Sequence, residues 1–231
     1  MFRLTGYGMA ALAATALLAG CDSDSTTGPD ATAQVRVVHG SPNAPAVDVL
    51  VDGTRVLSNV AYRQFSGYLE VPAGTRNVRV NAANTTTSVI NANPAVAAGG
   101  AYTIIATNLL ASIEPLVLTD NLAAPAAGNI KLRLVHGAPN VGSVDIYVTA
   151  PGADIATLSP TLTGVPFKGA SNYLEVAAGS YRVRITPAGT KTVAIDTGTL
   201  TLAAGQVRTA IAVEAQGGGA PLSALLLPDR N

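Results

Sequence analysis

Val35-Arg-Val-Val-His-Gly-Ser-Pro-Asn43 returns as Leu132-Arg-Leu-Val-His-Gly-Ala-Pro-Asn140, an offset of 97 residues. Ala46-Val-Asp-Val49 returns as Ser143-Val-Asp-Ile146 at the same offset. Tyr68-Leu-Glu-Val71 matches Tyr173-Leu-Glu-Val176 at an offset of 105, so the second copy has gained eight residues between these blocks. The gain falls around Thr149 to Gly169, where Pro and Gly are frequent. Val78-Arg-Val80 corresponds to Val183-Arg-Ile185, Ala98-Gly-Gly100 to Ala203-Ala-Gly205, and Leu116-Val-Leu118 to Leu225-Leu-Leu227. A fixed-period repeat of this kind means that one structural unit has been built twice.

Each unit reads as strands. Val47, Val49 and Val51 alternate with Asp48, Leu50 and Asp52, a period of two that turns the valines toward one buried face. Asp52-Gly53 supplies a tight hairpin turn, and Val71-Pro-Ala-Gly74 fits a type I turn. Ala101-Tyr-Thr-Ile-Ile-Ala-Thr107 is rich in β-branched residues and too short for a helix. No window after the first twenty residues carries apolar side chains at helical spacing. The pattern predicts an all-β chain: two tandem immunoglobulin-like antiparallel β-sandwich domains, at residues 33–122 and 130–231, joined by a linker at 123–129. Residues 31–122 hold five basic and five acidic side chains, and 130–231 hold eight and six. Neither unit needs the other for charge balance. The Ala/Pro/Gly linker leads us to expect two independently folding, mutually mobile domains.

The N-terminus reads as a targeting signal. Arg3 is the only charge before Asp22, and an Ala/Leu-rich stretch runs from Met9 to Gly20. As a helix that stretch would rise roughly 18 Å, short of a ~30 Å hydrocarbon core. Residues 1–20 are therefore expected to be an export signal. Leu18-Ala19-Gly20-Cys21 is similar to the lipobox of bacterial lipoproteins, in which the signal is cut before a lipidated cysteine. Cys21, the single cysteine of the chain, is then the expected membrane anchor. Residues 21–32 are the expected flexible tether, with Asp22, Asp24 and Asp30 and no bulky apolar side chain. The expected location is the cell envelope, lipid-anchored and facing periplasm or exterior. Asp22 leaves the choice of membrane open.

The blocks R-V-V-H-G-S-P-N-A-P-x-V-D-V, Y-L-E-V-P-A-G, A-Y-T and E-P-L-V-L-x-D resemble the bacterial family called domain of unknown function 4397. The resemblance spans both repeats, with Ala138 for Ser41, Gly142 for Pro45 and Ala177 for Pro72 in the second. It implies an exported β-rich module, often repeated and often on lipoproteins, and it implies no activity.

Candidate chemistry is sparse. Fourteen basic and fourteen acidic residues give zero net charge at 12% charged content, which excludes the basic stripe of a nucleic-acid binder. One Cys excludes a disulfide framework. His39 and His136, the only histidines, hold equivalent positions, as do Asp48 and Asp145. One imidazole per repeat is too few for a zinc site. The expectation is instead that each His closes the first strand, bonding the Gly-[Ser/Ala]-Pro-Asn loop with its Asp as a candidate partner, and that no metal or cofactor is used. His39, Ser41 and Asp48 include the residue types of a nucleophilic triad, yet no G-x-S-x-G elbow is present and Ala138 replaces Ser41 in the second copy. Glu70 and Glu175 are expected as outward strand charges, facing solvent or pairing with Arg79 or Arg184. Asn84-Thr-Thr86 is a formal glycosylation sequon without a reason for use.

The expected function is a non-catalytic structural or protein-interaction module, with an unknown envelope or extracellular protein or glycan as partner. The alternative is a carbohydrate or cell-wall binder, which needs two tyrosines of one repeat on a single open surface. Trp is absent, leaving Tyr62, Tyr68, Tyr102, Tyr147, Tyr173 and Tyr181 with Phe65 and Phe167. The loops His39–Ala46 and Thr149–Gly169 are the first places to look.

Overall fold

The computed structural model describes residues 31–231. The signal at 1–20, Cys21 and the tether through Asp30 lie outside the described residues. The first repeat runs β1 (Thr32–His39), β2 (Val47–Val51), β3 (Thr54–Val60), β4 (Leu69–Pro72), β5 (Gly74–Thr75), β6 (Val78–Ala82), β7 (Ser88–Ala92), β8 (Ala95–Val96), β9 (Ala101–Thr107) and β10 (Glu114–Asp120). The second runs β11 (Asn129–His136), β12 (Val144–Thr149), β13 (Leu162–Val165), β14 (Leu174–Ala177), β15 (Gly179–Pro187), β16 (Ile195–Leu202), β17 (Val207–Val213) and β18 (Ser223–Arg230).

The chain is all-β, and each repeat is a sandwich of two four-stranded sheets. Repeat 1 pairs the order β10-β9-β1-β4 with β3-β2-β6-β7, and repeat 2 pairs β14-β11-β17-β18 with β13-β12-β15-β16. Pairing is antiparallel except that β1 lies parallel to β9 and β11 parallel to β17. Parallel neighbours need a long crossover. Here nearly the whole sandwich separates the first strand from its parallel partner.

Val35, Val37, Val47, Val49, Val78, Val80 and Ile104 form the core of repeat 1, and Leu132, Leu134, Val144, Ile146, Val183 and Ile185 part of that of repeat 2. The alternation read in the sequence places these side chains between the sheets. The eight extra residues of repeat 2 enlarge the hairpin that Asp52-Gly53 closes in repeat 1. They fold back over the outer face of β12 and β15, burying Ile155 and Tyr147. Arg184 donates to Thr149 Oγ1 (2.9 Å) and the Ala153 carbonyl (2.6 Å), and Arg182 to the Pro151 carbonyl (3.2 Å). The expectation of an outward Arg184, in solvent or paired with Glu175, is therefore corrected. The side chain is buried, because the inserted loop covers it and supplies its acceptors.

A third core lies between the repeats: Val38 and Ile105 of repeat 1 meet Val135, Ile211, Val213 and Leu227 of repeat 2, flanked by Leu116, Leu118 and Leu225. The residues of β1, β9, β11 and β17 that turn away from each sandwich are therefore buried too, some apolar (Val38, Ile105, Val135, Ile211) and some polar (Arg36, Thr103, Arg133, Thr209). The expectation that few contacts cross between the repeats is overturned. Burying both sheet faces removes their apolar area from water at roughly 25 cal/mol per Å². The linker is also held: Glu175 accepts from the Ala126 amide (2.7 Å), Lys131 donates to the Ala123 carbonyl (3.0 Å), and Arg230 to that of Leu122 (3.1 Å). Glu175 is thus a linker clasp, its carboxyl held below the usual range chiefly by the Ala126 amide.

Candidate functional site

Two arginines sit in the middle of the shared face. Arg36 lies between Val35 and Val37 in β1 and points to the opposite side from them, into the repeat interface, at 1% exposure. A lone buried guanidinium is prohibitive unless paired and fully hydrogen-bonded. Arg36 Nη2 donates to Asp229 Oδ1 of repeat 2 (2.6 Å) and Nη1 to the Pro228 carbonyl (3.2 Å), while Nε and Nη2 reach Thr103 Oγ1 of its own repeat (3.2 and 2.8 Å). Arg133 does the same in reverse. It donates to Asp120 Oδ1 (2.5 Å) and the Thr119 carbonyl (3.0 Å) of repeat 1, and to Thr209 Oγ1 of its own (3.1 Å).

Each aspartate's second oxygen is filled from its own repeat. Asp120 Oδ2 accepts from Tyr68 (2.7 Å) and Thr103 (2.6 Å), and Asp229 Oδ2 from Tyr173 (2.8 Å) and Thr209 (2.6 Å). Each tyrosine ring lies under an arginine of its own repeat, at 4.9 Å for Arg36 over Tyr68 and 4.7 Å for Arg133 over Tyr173. Burial pushes both phenols up, with the neighbouring aspartates adding to the rise. The two networks are reciprocal, and each spans the boundary.

These contacts fix the repeats in the same direction. Arg230 and Leu122 meet at the end where β1 begins and the linker runs. At the opposite end the Gly217 amide donates to the Pro42 carbonyl (2.7 Å), Tyr62 to the Glu214 carbonyl (2.9 Å), and Lys168 to Glu114 (2.9 Å). The start of β1, the linker and the C-terminal strand end therefore share one pole. The other pole gathers the loops after β1, β3, β6 and β9 with their counterparts in repeat 2.

His39 and His136 close β1 and β11 at this loop pole. Both are fully buried, with Nε2 of His39 at 2.9 Å from the Pro45 carbonyl and that of His136 at 3.0 Å from the Gly142 carbonyl. Desolvation is the leading cause that lowers the His39 pKa below its ordinary value. Asp48 and Asp145 do not reach these rings. Asp48 accepts from the amides of Asn59 (2.8 Å) and Asn84 (3.2 Å), and Asp145 from those of Gly164 and Gly189 (2.8 Å each). All four amides belong to residues with left-handed backbone, φ between 52° and 76°. Each aspartate thus pins two irregular turns. The Asn59 amide leads in lowering the Asp48 pKa.

Ser41 Oγ and His39 Nδ1 are both buried without a partner, so they do not bond each other. The triad residue types are present and unassembled. Glu70 stays exposed as expected. Among the described residues, no three His, Cys, Asp or Glu side chains gather as a metal would require, and no helix is long and apolar enough to cross a membrane. All six tyrosine hydroxyls of the described residues are engaged: beyond Tyr62, Tyr68 and Tyr173, Tyr102 accepts from the Ala97 amide, Tyr147 from Lys191, and Tyr181 donates to the Ala177 carbonyl.

A family model described as a domain of unknown function (DUF4397) matches residues 33–147 and 148–231. The chain belongs to this family. The two DUF4397 matches meet within β12, whereas the covalent crossing between sandwiches lies at the linker. No curated protein matches the sequence. Among solved structures, the chain is similar to a leucine-rich repeat protein from Bacteroides thetaiotaomicron, at 15% identity and a TM-score of 0.22, covering 80% of this chain and 26% of that one. A streptococcal virulence factor described by its α-glucan binding shares 10% identity, with a TM-score of 0.26 and coverage of 73% and 87%. The CBM26-family module of Amy13K from Eubacterium rectale, solved with maltoheptaose, shares 8%, with a TM-score of 0.26 and coverage of 87% and 98%. The chain spans about a quarter of the length of the first of these.

Sequence reasoning missed the arginine–aspartate exchange. Its signal was an arginine inside an apolar strand at the same place in both repeats, with a matching tyrosine and a closing aspartate in each.

Proposed function

We propose that this DUF4397 chain is a lipid-anchored, non-catalytic module of a bacterial cell envelope that presents its loop pole to a protein partner. One observation carries this reading: the repeats are locked so that the start of β1, the linker and the C-terminal strand end share one pole, while loops of both repeats form the other. A chain anchored through Cys21 would hold that loop pole away from the lipid. Two or three acyl chains, at about 0.8 kcal/mol per buried CH₂, give durable attachment. The commitment of His39, His136, Asp48 and Asp145 to backbone groups supports a scaffold over chemistry. The carbohydrate reading has less support, since every tyrosine hydroxyl among the described residues serves an internal bond.

Two measurements test this. Wild-type protein labelled with radioactive palmitate should sediment with membranes, and Cys21→Ser should lose the label and appear in the soluble fraction. A photo-crosslinking residue at Leu110, on the loop pole, should capture protein in intact cells, whereas one at Gly53, on the linker pole, should not. An unlabelled wild type overturns the anchor, and equal capture at both poles overturns the orientation.

A further inference from the structure

Arg63 and Lys168 are equivalent residues, each donating its amide to the carbonyl of its repeat's histidine (2.8 Å). Both sit in the left-handed region, at φ 68° and 66°. Glycine or asparagine would hold that turn at lower cost, so both repeats accept strain to place a long cation there. In repeat 2 the cation has a use: Lys168 reaches across the boundary to Glu114, the first residue of Glu114-Pro115-Leu116, whose leucine packs into the inter-repeat core. By the reciprocity of the two networks, Arg63 should find its carboxylate at the start of β18. The residue there is Ser223, and its hydroxyl is buried without a partner. Among the described residues the Arg63 side chain makes no hydrogen bond or ion pair.

The surroundings of Arg63 form a place for the missing group. The turn is rigid: the Tyr62 hydroxyl is tied to the Glu214 carbonyl and Gln64 Oε1 to the Ala61 amide. Beside it lies an open crevice of about 420 Å³ lined by Leu57, Ser58, Val60, Phe65 and Ser66. Phe65, at 37% exposure, is one of the few large apolar side chains left to solvent, and Ala170 takes its place in repeat 2.

We infer that Arg63 and the Phe65 crevice form a docking site for an acidic–apolar peptide segment of a partner protein. Arg63 takes the carboxylate and the crevice takes the neighbouring apolar side chain. The molecule supplies its own precedent for the occupant, since Lys168 already holds such a segment at Glu114-Pro115-Leu116. A guanidinium can grip a carboxylate with two donors where an ammonium offers a point charge, so Arg63 is suited to taking a partner's carboxylate. The inference rests on the protein-partner reading above and names the surface that reading leaves open.

The test uses the unlipidated mature chain and a fluorescent acetylated hexapeptide amide with the Ser112–Val117 sequence, followed by anisotropy. Saturable binding is expected, weakened at least tenfold by Arg63→Glu and by Gln in place of the peptide's Glu. Phe65→Ala should weaken it at least threefold. Arg63→Gly separates folding from binding: it relieves the backbone strain, so the melting temperature should hold or rise while binding is lost. Absence of saturable binding overturns the proposal. So does binding that survives Arg63→Glu but fails in Lys168→Ala, which would mean that the peptide displaces the internal Glu114 segment. Inorganic phosphate that competes as well as the Glu peptide would mean a general anion site and also overturns it. None of these results would disturb palmitate labelling or the pole-specific crosslinks, so the broader reading fails or stands separately.

Discussion

Repeat 1 and repeat 2 agree in the arginine–aspartate exchange that joins them and diverge at several other places. Arg36 and Arg133, Thr103 and Thr209, Tyr68 and Tyr173, Asp120 and Asp229 occupy matching places and make matching bonds. Elsewhere a two-residue turn in one repeat is a capping loop in the other and Ser41 stands for Ala138, while in the shared core itself Thr107 stands for Val213. The shared set is what two sandwiches need to become one body. The divergent set shows which positions that body leaves free to change.

The sharpest way to break this comparison is to remove one arm of the exchange. Arg36→Ala leaves Asp229 buried without its cation, at a cost of about 3–5 kcal/mol. Arg133→Ala should cost a similar amount. Urea unfolding of both variants checks this, and a loss under about 1 kcal/mol for either would mean that the networks are not equivalent. A double-mutant cycle between Arg36 and Asp229 should show strong coupling, while Arg36 with Asp120 should show weaker coupling.

Deleting Gly152–Ser159 returns the second hairpin to the length of the first. It uncovers Tyr147, removes buried Ile155 and takes away the Ala153 carbonyl to which Arg184 donates. We expect a loss of about 2–4 kcal/mol, in the range of deleting a large buried aliphatic side chain. An unchanged unfolding midpoint would show that the loop is ornament on repeat 2.

Repeat 2 also predicts a gain. Ser41→Ala and Thr107→Val copy Ala138 and Val213, and each removes a buried hydroxyl without a partner. Each should stabilise by about 1 kcal/mol, read as a higher melting temperature. A drop would show that the hydroxyls serve something that repeat 2 lacks.

The smallest effect concerns His39. Its folded pKa lies below the unfolded value of 6.5, so its contribution is fully present above pH 6.5 and declines as pH falls through the folded value. The slope cannot exceed about 1.4 kcal/mol per pH unit for one proton. His39→Gln should flatten stability between pH 6.5 and 5, and chelator should leave the melting temperature of wild type unchanged.

The sandwich architecture was legible because period-two alternation and paired turn residues are local signals. Val47 to Asp52 announced both a strand and the hairpin after it. The capping role of the inserted loop was not legible, since Ile155 becomes core only once the loop folds back on Tyr147. Nor was the partner of Asp48: the sequence suggests His39, whereas the bulge at Asn59 and the turn at Asn84 each bring an amide to its carboxylate. The inter-repeat face was half visible. Val38 and Ile105 broke the alternation toward a second apolar side, and that was a sign of burial on both faces.

The reciprocal exchange has a consequence for how such a chain tolerates change. Each repeat carries a complete set, one arginine and one aspartate, but each pair is completed only by the neighbour. A substitution at Arg36 is answered at Asp229, not within its own repeat, so compensating changes should track across the linker. A chain built from two copies of either repeat would still close both pairs. The order and identity of the halves are therefore interchangeable at the lock, which leaves the outward loops free to drift apart while the joint between them stays the same.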